Sequence, residues 1–153
     1  MKITDILNPE MVVPELTADS KPDVLRELAD HLCSCFRQVE VDKVVSVLAD
    51  RERMGSTAIG DGIAIPHGKL KGLTRIIGVF GRSIKGVDFE SLDGEPTHLF
   101  FVLMAPEDSA SLHLKALARV SRLFKDDGFR RRLLEAPDAS EIFRLIKEED
   151  ARY

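Results

Sequence analysis

Cysteine is scarce in this chain, long hydrophobic runs are missing, and positive charge is not in excess. Only Cys33 and Cys35 occur among the 153 residues. Side chains two apart on a helix point to different sides, so a local disulfide is not expected and a reduced compartment fits. His31 and Cys35 would share a helix face, but no second Cys/His cluster completes a tetrahedral metal site. We read them as small half-buried thiols beside a surface histidine. The richest apolar run, Leu99 to Ala105, is far short of the roughly 20 residues that a membrane helix needs, so no membrane insertion is expected. The opening Met1-Lys2-Ile3-Thr4-Asp5-Ile6-Leu7 places an acid within a short apolar stretch and has no small-residue cleavage site, from which a cytoplasmic location is expected. With 22 basic against 26 acidic residues, a net charge of -4, the chain lacks the basic surplus that drives binding to nucleic acid. Proteins or small solutes are the expected partners.

What is present is a chain 44% hydrophobic and 31% charged, enough to fold as one domain over residues 1–153, with its core from about residue 3 to 147, without staples. Helical spacing of Val24, Leu25, Leu28, Leu32, Cys35 and Phe36 after the cap candidates Asp19 and Ser20 predicts a helix from Lys21 to Arg37. A second is expected from Val41 to Met54, stopped by Gly55. The segment Gly55 to Lys69 reads as loop, short strand at Ile63 to Ile65, and loop. Thr74 to Ile84 and Thr97 to Met104 read as strands buried on both faces, with a tight connection at Leu92 to Pro96. Helices follow Pro106: a broad apolar face from Leu112 to Phe124, a short helix at Asp127 to Leu134, and a last one at Asp138 to Glu149 before a tail expected to fray. The expected fold class is α/β, a mixed β-sheet flanked by helices on both faces.

The chemistry lies in the glycine-rich middle. Gly62 to Leu70 falls short of a nucleotide-phosphate loop, having one residue too many between its glycines and Leu70 where a metal-binding hydroxyl belongs. Gly60-Asp61-Gly62 does not open a dinucleotide fingerprint, and Ser56 lacks the G-x-S-x-G elbow of a serine hydrolase. Neither ATP nor NAD is supported, and no cofactor or metal is expected. His67 remains, between Pro66, which fixes its own φ, and Gly68, which would let the chain turn away. Neutral imidazole is a good nucleophile toward phosphorus, and the resulting N–P bond stays reactive enough to pass the group on. A phosphoryl group in transfer needs donors around its oxygens, for which Ser56, Thr57, the glycine loop including Gly68, and Arg51 are candidates. His113 either completes the pocket or is a helix-start histidine with a structural role; spacing leaves both open. His31 and His98 read as structural.

The run Arg51-Glu52-Arg53-Met54-Gly55-Ser56-Thr57-Ala58-Ile59-Gly60-Asp61-Gly62-Ile63-Ala64-Ile65-Pro66-His67-Gly68-Lys69-Leu70 closely resembles the active-site signature of phosphotransferase-system enzyme IIA proteins of the fructose/mannitol class, and its Pro66 to Leu70 wording resembles their nitrogen-regulatory branch. The resemblance implies an enzyme IIA fold, phosphorylation of His67 at Nε2 by a histidine phosphocarrier protein, stabilisation of the group by Arg51 and His113, and a hydrogen bond at Nδ1 that fixes the tautomer. It implies a phosphotransferase component with a dominant regulatory role, acting on target proteins according to phosphorylation state; a sugar-transport EIIA passing the group to a separate IIB and a binding module without transfer are the alternatives. The phosphocarrier would dock on apolar residues near Gly60 to Ile65 and at the start of the His113 helix. Two positions depart from the family pattern: Ala58 stands where glycine is common, questioning the loop conformation, and Asp61 stands where asparagine is frequent, bringing negative charge toward the phosphoryl group.

Overall fold

Ser20 accepts the Asp23 N–H at 3.3 Å, and with Pro22 in the first turn this starts helix α1, Lys21–Cys35, where cap and proline preferences place it. α1 stops two residues short of the expected Arg37, because Phe36 leaves helical geometry and is buried. The structure, a computed structural model, covers Met1 to Tyr153. After two 3-10 turns and β1 (Val12–Val13), α1 leads to α2 (Val41–Arg53), β2 (Ala58–Gly60), β3 (Ile63–Ala64), β4 (His67–Leu70), β5 (Ile77–Val87) and β6 (Thr97–Pro106). Three helices follow: α3 (Ala110–Leu123), α4 (Asp127–Glu135) and α5 (Ala139–Asp150). Asp126 and Asp138 cap α4 and α5 by accepting the N–H groups of Phe129 and Glu141.

The strands make one mixed sheet in the order β1-β5-β6-β3-β2, with β4 also paired to β6. β5 and β6 are antiparallel, as are β2 and β3, whereas β1 runs parallel to β5, and β3 and β4 run parallel to β6. Side chains alternate across a strand, which separates two layers. Phe80 lies opposite Phe101, and both pack with Phe124 at the end of α3, itself against Phe129 of α4. On the other face, a Cβ at Gly81 would meet Leu28 of α1 at 2.7 Å. Helices thus cover both faces, and the mixed α/β sheet expected from alternating strands and amphipathic helices is the one observed.

The segment before β5 differs from the loop-strand-loop expectation, since β2, β3 and β4 are three separate short strands. His67 is therefore a strand residue, opposite Leu103 of β6. Between β2 and β3 the turn uses Gly60, Asp61 and Gly62 at φ 107, 57 and 76, the left-handed region where glycine and aspartate are best tolerated. The C-terminal tail also departs from expectation: Asp150 is buried and accepts the Ile3 N–H at 2.9 Å and Arg119 Nε at 2.7 Å. This carboxylate ties both ends of the chain to α3, so α5 continues through Asp150 instead of fraying.

Candidate functional site

The alternation of β4 decides what each neighbour of His67 touches. His67, aligned with Leu103, shares the sheet face of Phe101 and α3; Gly68, aligned with Met104, faces the opposite layer. A Cβ at Gly68 would stand 2.2 Å from Val47 Cγ1 of α2. The glycine is required because α2 lies on the strand, and its φ is not in the left-handed region, which corrects the expectation of a turn there.

The half-buried His67 ring has its Nδ1 2.7 Å from the Ile65 carbonyl. A carbonyl only accepts, so Nδ1 carries the hydrogen and Nε2 keeps its lone pair. His113, on the first turns of α3, is 7% exposed. Its ring meets that of His67 edge to face, with centroids 5.4 Å apart at 76°, and its buried Nε2 has no hydrogen-bond partner. Such a group pays its desolvation without return unless something else fills the place. Arg51, half-buried at the end of α2, holds the Gly55 carbonyl through Nη1 at 2.8 Å, and its charge is felt by His67.

Burial holds the His67 imidazole below its ordinary value; Arg51 pushes the same way, while the Ile65 bond and Glu52 push back. Burial, then the charges of His67 and Lys69, also lower His113. Both rings are thus neutral near neutral pH, and a neutral His67 presents a free electron pair. Because each folded value lies below the unfolded one, stability from these groups is complete above about pH 6.5 and is lost as the pH falls through the folded values. We expect ring NMR titration to give His67 a midpoint below about 6.5; a midpoint above that would contradict this electrostatic account.

The loop candidates are placed differently. The Ser56 hydroxyl donates to the Phe89 carbonyl at 2.6 Å and accepts the Ala58 N–H. Thr57 is buried, and its hydroxyl and N–H both go to Glu52. Their hydroxyl protons are already donated within the protein, so these residues shape the loop. Ala58 lies on β2 with no positive φ, removing the doubt over its Cβ. Asp61 lines a surface cleft with His98, Asp127 and Arg130 and is not among the charges acting on His67. Ile63 and Ile65, expected on a docking surface, are core residues at 3% and 4% exposure. Met54, Ile59, Leu112 and Leu114 are exposed apolar residues, the last two flanking His113 in the chain. His98 donates Nδ1–H to the Ser83 carbonyl at 2.9 Å, and His31 bonds the Glu10 carbonyl, both structural roles. Both cysteines are free, and no group of three or more His, Cys, Asp or Glu residues is placed to hold a metal. Glu52 was missed by sequence reasoning; a glutamate ahead of a Gly-Ser-Thr loop is its only signal.

Residues 5–149 match the family described as phosphoenolpyruvate-dependent sugar phosphotransferase system, EIIA 2. The chain belongs to this EIIA family. It is 44% identical over 146 residues to a nitrogen regulatory protein of Bradyrhizobium diazoefficiens, covering 95% of each chain. It is 37% identical over 150 residues to the fructose-specific EIIABC component of Bacillus subtilis, spanning 98% of this chain but 24% of that protein. The crystal structure of the nitrogen regulatory protein IIA-Ntr from Neisseria meningitidis superposes with a TM-score of 0.87 at 30% identity, covering 94% of this chain and 98% of that one. This EIIA domain is therefore of the nitrogen regulatory type and a phosphotransfer component by family. No helix of the EIIA domain is long and apolar enough to cross a membrane.

Proposed function

We propose that this chain, one EIIA domain over residues 1–153 acting in the cytoplasm, accepts a phosphoryl group on His67 Nε2 from a histidine phosphocarrier protein and regulates target proteins according to that state. The observation that carries the proposal is the pairing of His67, its Nδ1–H held by Ile65, with a buried His113 Nε2 that lacks a partner. In the transfer, the Nε2 lone pair forms a bond to phosphorus as the donor's N–P bond breaks, and that electron pair returns to the donor imidazole. Nδ1 keeps its proton on Ile65. Neutral His113 donating from Nε2, and the Arg51 guanidinium, stabilise the charge on the phosphoryl oxygens, while Ser56, Thr57 and Gly68 hold the loop and strand around it. Met54, Leu112 and Leu114 supply apolar surface for the docked carrier.

Incubation with phosphoenolpyruvate, the first enzyme and the phosphocarrier, followed by intact-mass measurement, should give an acid-labile gain of one phosphoryl group that His67→Ala abolishes. No gain from a demonstrably charged carrier would sink the transfer reading and leave a binding module. Similarity to the fructose-specific EIIABC component favours a second reading, in which the group passes to a separate IIB. Label appearing on an added IIB selects that reading; target binding that changes with His67 state alone selects regulation.

A further inference from the structure

The Nδ1–H bond of His67 does not end at Ile65. The Ile65 N–H donates to the Thr57 carbonyl at 3.1 Å. Thr57 in turn donates its own N–H, at 3.0 Å, and its hydroxyl to the two oxygens of Glu52. Lys21 Nζ closes the far end, 3.0 Å from Glu52 Oε1, with its ammonium over the Phe89 ring. Five residues from α1, α2, the loop and β4 are joined in one line, and its terminal ion pair is largely shielded, the side chains being 13% and 5% exposed.

From this geometry we infer that Glu52 is a positioning residue for His67: braced by Lys21, it holds Thr57 and, through the Thr57 carbonyl, the N–H of Ile65, the residue whose carbonyl in the next peptide group fixes the imidazole tautomer and aims Nε2. The inference rests on the carrier reading for its meaning, and extends it to residues that touch no phosphoryl oxygen. A buried ion pair is a poor source of net stability compared with packed apolar side chains. What it supplies here is a fixed location for the two donors of Thr57, beside the bonds that Ser56 makes to Phe89 and Ala58. The same loop carries the Gly55 carbonyl that holds Arg51, so one carboxylate sets the places of two groups of the site. Without the relay, the backbone at Ile65 loses the anchor on its N–H, its carbonyl holds Nδ1–H less firmly, and the ring can exchange to the tautomer with the hydrogen on Nε2, where no lone pair is left to attack.

The test uses the unphosphorylated full chain and nitrogen NMR of the His67 ring, alongside single-turnover uptake from the charged phosphocarrier. Glu52→Gln keeps one acceptor but loses the charge; Thr57→Val keeps the shape and the N–H but loses the hydroxyl bond. In both, the fraction of Nε2–H tautomer should rise and uptake should slow on the order of tenfold to a hundredfold, the scale of a small misplacement of a reacting group. In Glu52→Gln the His67 midpoint should also fall further, since Glu52 raises it. Folded variants with unchanged ring shifts and unchanged uptake would overturn the inference and make Glu52 a plain loop anchor. If Glu52→Gln does not fold, Thr57→Val decides alone by the same two readouts. Should the wild-type chain take no phosphoryl group, the carrier reading fails, yet the tautomer measurement still decides whether Glu52 positions the ring.

Discussion

His113→Leu should slow phosphoryl uptake by about a hundredfold to a thousandfold, the usual effect of removing one preorganised donor from a transition state, while leaving the fold as stable as before or up to ~1 kcal/mol more so. The two effects have one cause. Nε2 of His113 is buried without a partner, so the resting protein bears its desolvation and gains no hydrogen bond from it. An apolar side chain of similar reach removes that cost. In the proposed transfer the same nitrogen would face a phosphoryl group on His67, whose ring lies 5.4 Å away between centroids, and there the missing donor would be felt. Single-turnover mass kinetics and urea denaturation would report the two quantities separately. A variant that takes up the group at the parental rate would show that His113 is only a core histidine. Stability falling by several kcal/mol would show that its ring carries packing for which leucine cannot substitute.

Gly68→Ala is the second change expected to have a large effect, although it adds a single methyl group. That methyl would stand 2.2 Å from Val47 Cγ1, a separation no pair of non-bonded carbons tolerates, so Val47 must leave its rotamer, which is costly for a β-branched side chain on a helix, or α2 and β4 must part. Overpacking of this kind costs about 1–3 kcal/mol. Where β4 yields, the displaced strand is the one carrying His67, and a displacement near 1 Å at a reacting group costs roughly a hundredfold in rate. Val47→Ala removes the obstructing carbon. The double variant should therefore recover most of both the denaturation midpoint and the uptake rate, giving a favourable coupling of more than ~0.5 kcal/mol in the mutant cycle. Additive losses would mean that the strand fails for a reason other than contact with α2.

Local signals explain why the helices were legible in the sequence and part of the site was not. Ser20, Pro22, Asp126 and Asp138 announce helix starts through their own chemistry, and each acts within three residues. The apolar runs that became β5 and β6 need no partner to be recognised. His67-Gly68-Lys69-Leu70, by contrast, has almost nothing of a strand in its composition, and it is extended because β6 offers an edge for pairing. Gly68 was read as a place where the chain turns away from the histidine, whereas its role is to make room for Val47, twenty-one positions earlier in the chain. His113 could not be assigned from spacing because its burial is set by the packing of α3 on the sheet. Glu52 was hidden by its charge: a charged residue at a helix end reads as solvated, and only the fold shows Thr57 and Lys21 around it. The family resemblance singled out His67, whereas the surroundings of its ring come from contacts between distant segments.

The two-sided character of β4 also bears on how a partner would tell the two states of the protein apart. One side of the strand is closed by Val47 lying where a side chain on Gly68 would be, so a group added to His67 has no free volume behind the strand into which to push it. Tight interiors resist gradual deformation. Modification of His67 would then rewrite the charge on one patch of surface while the backbone beneath stays as it was. The message is a mark read from outside, and discrimination belongs to the shape and charge of whatever reads it.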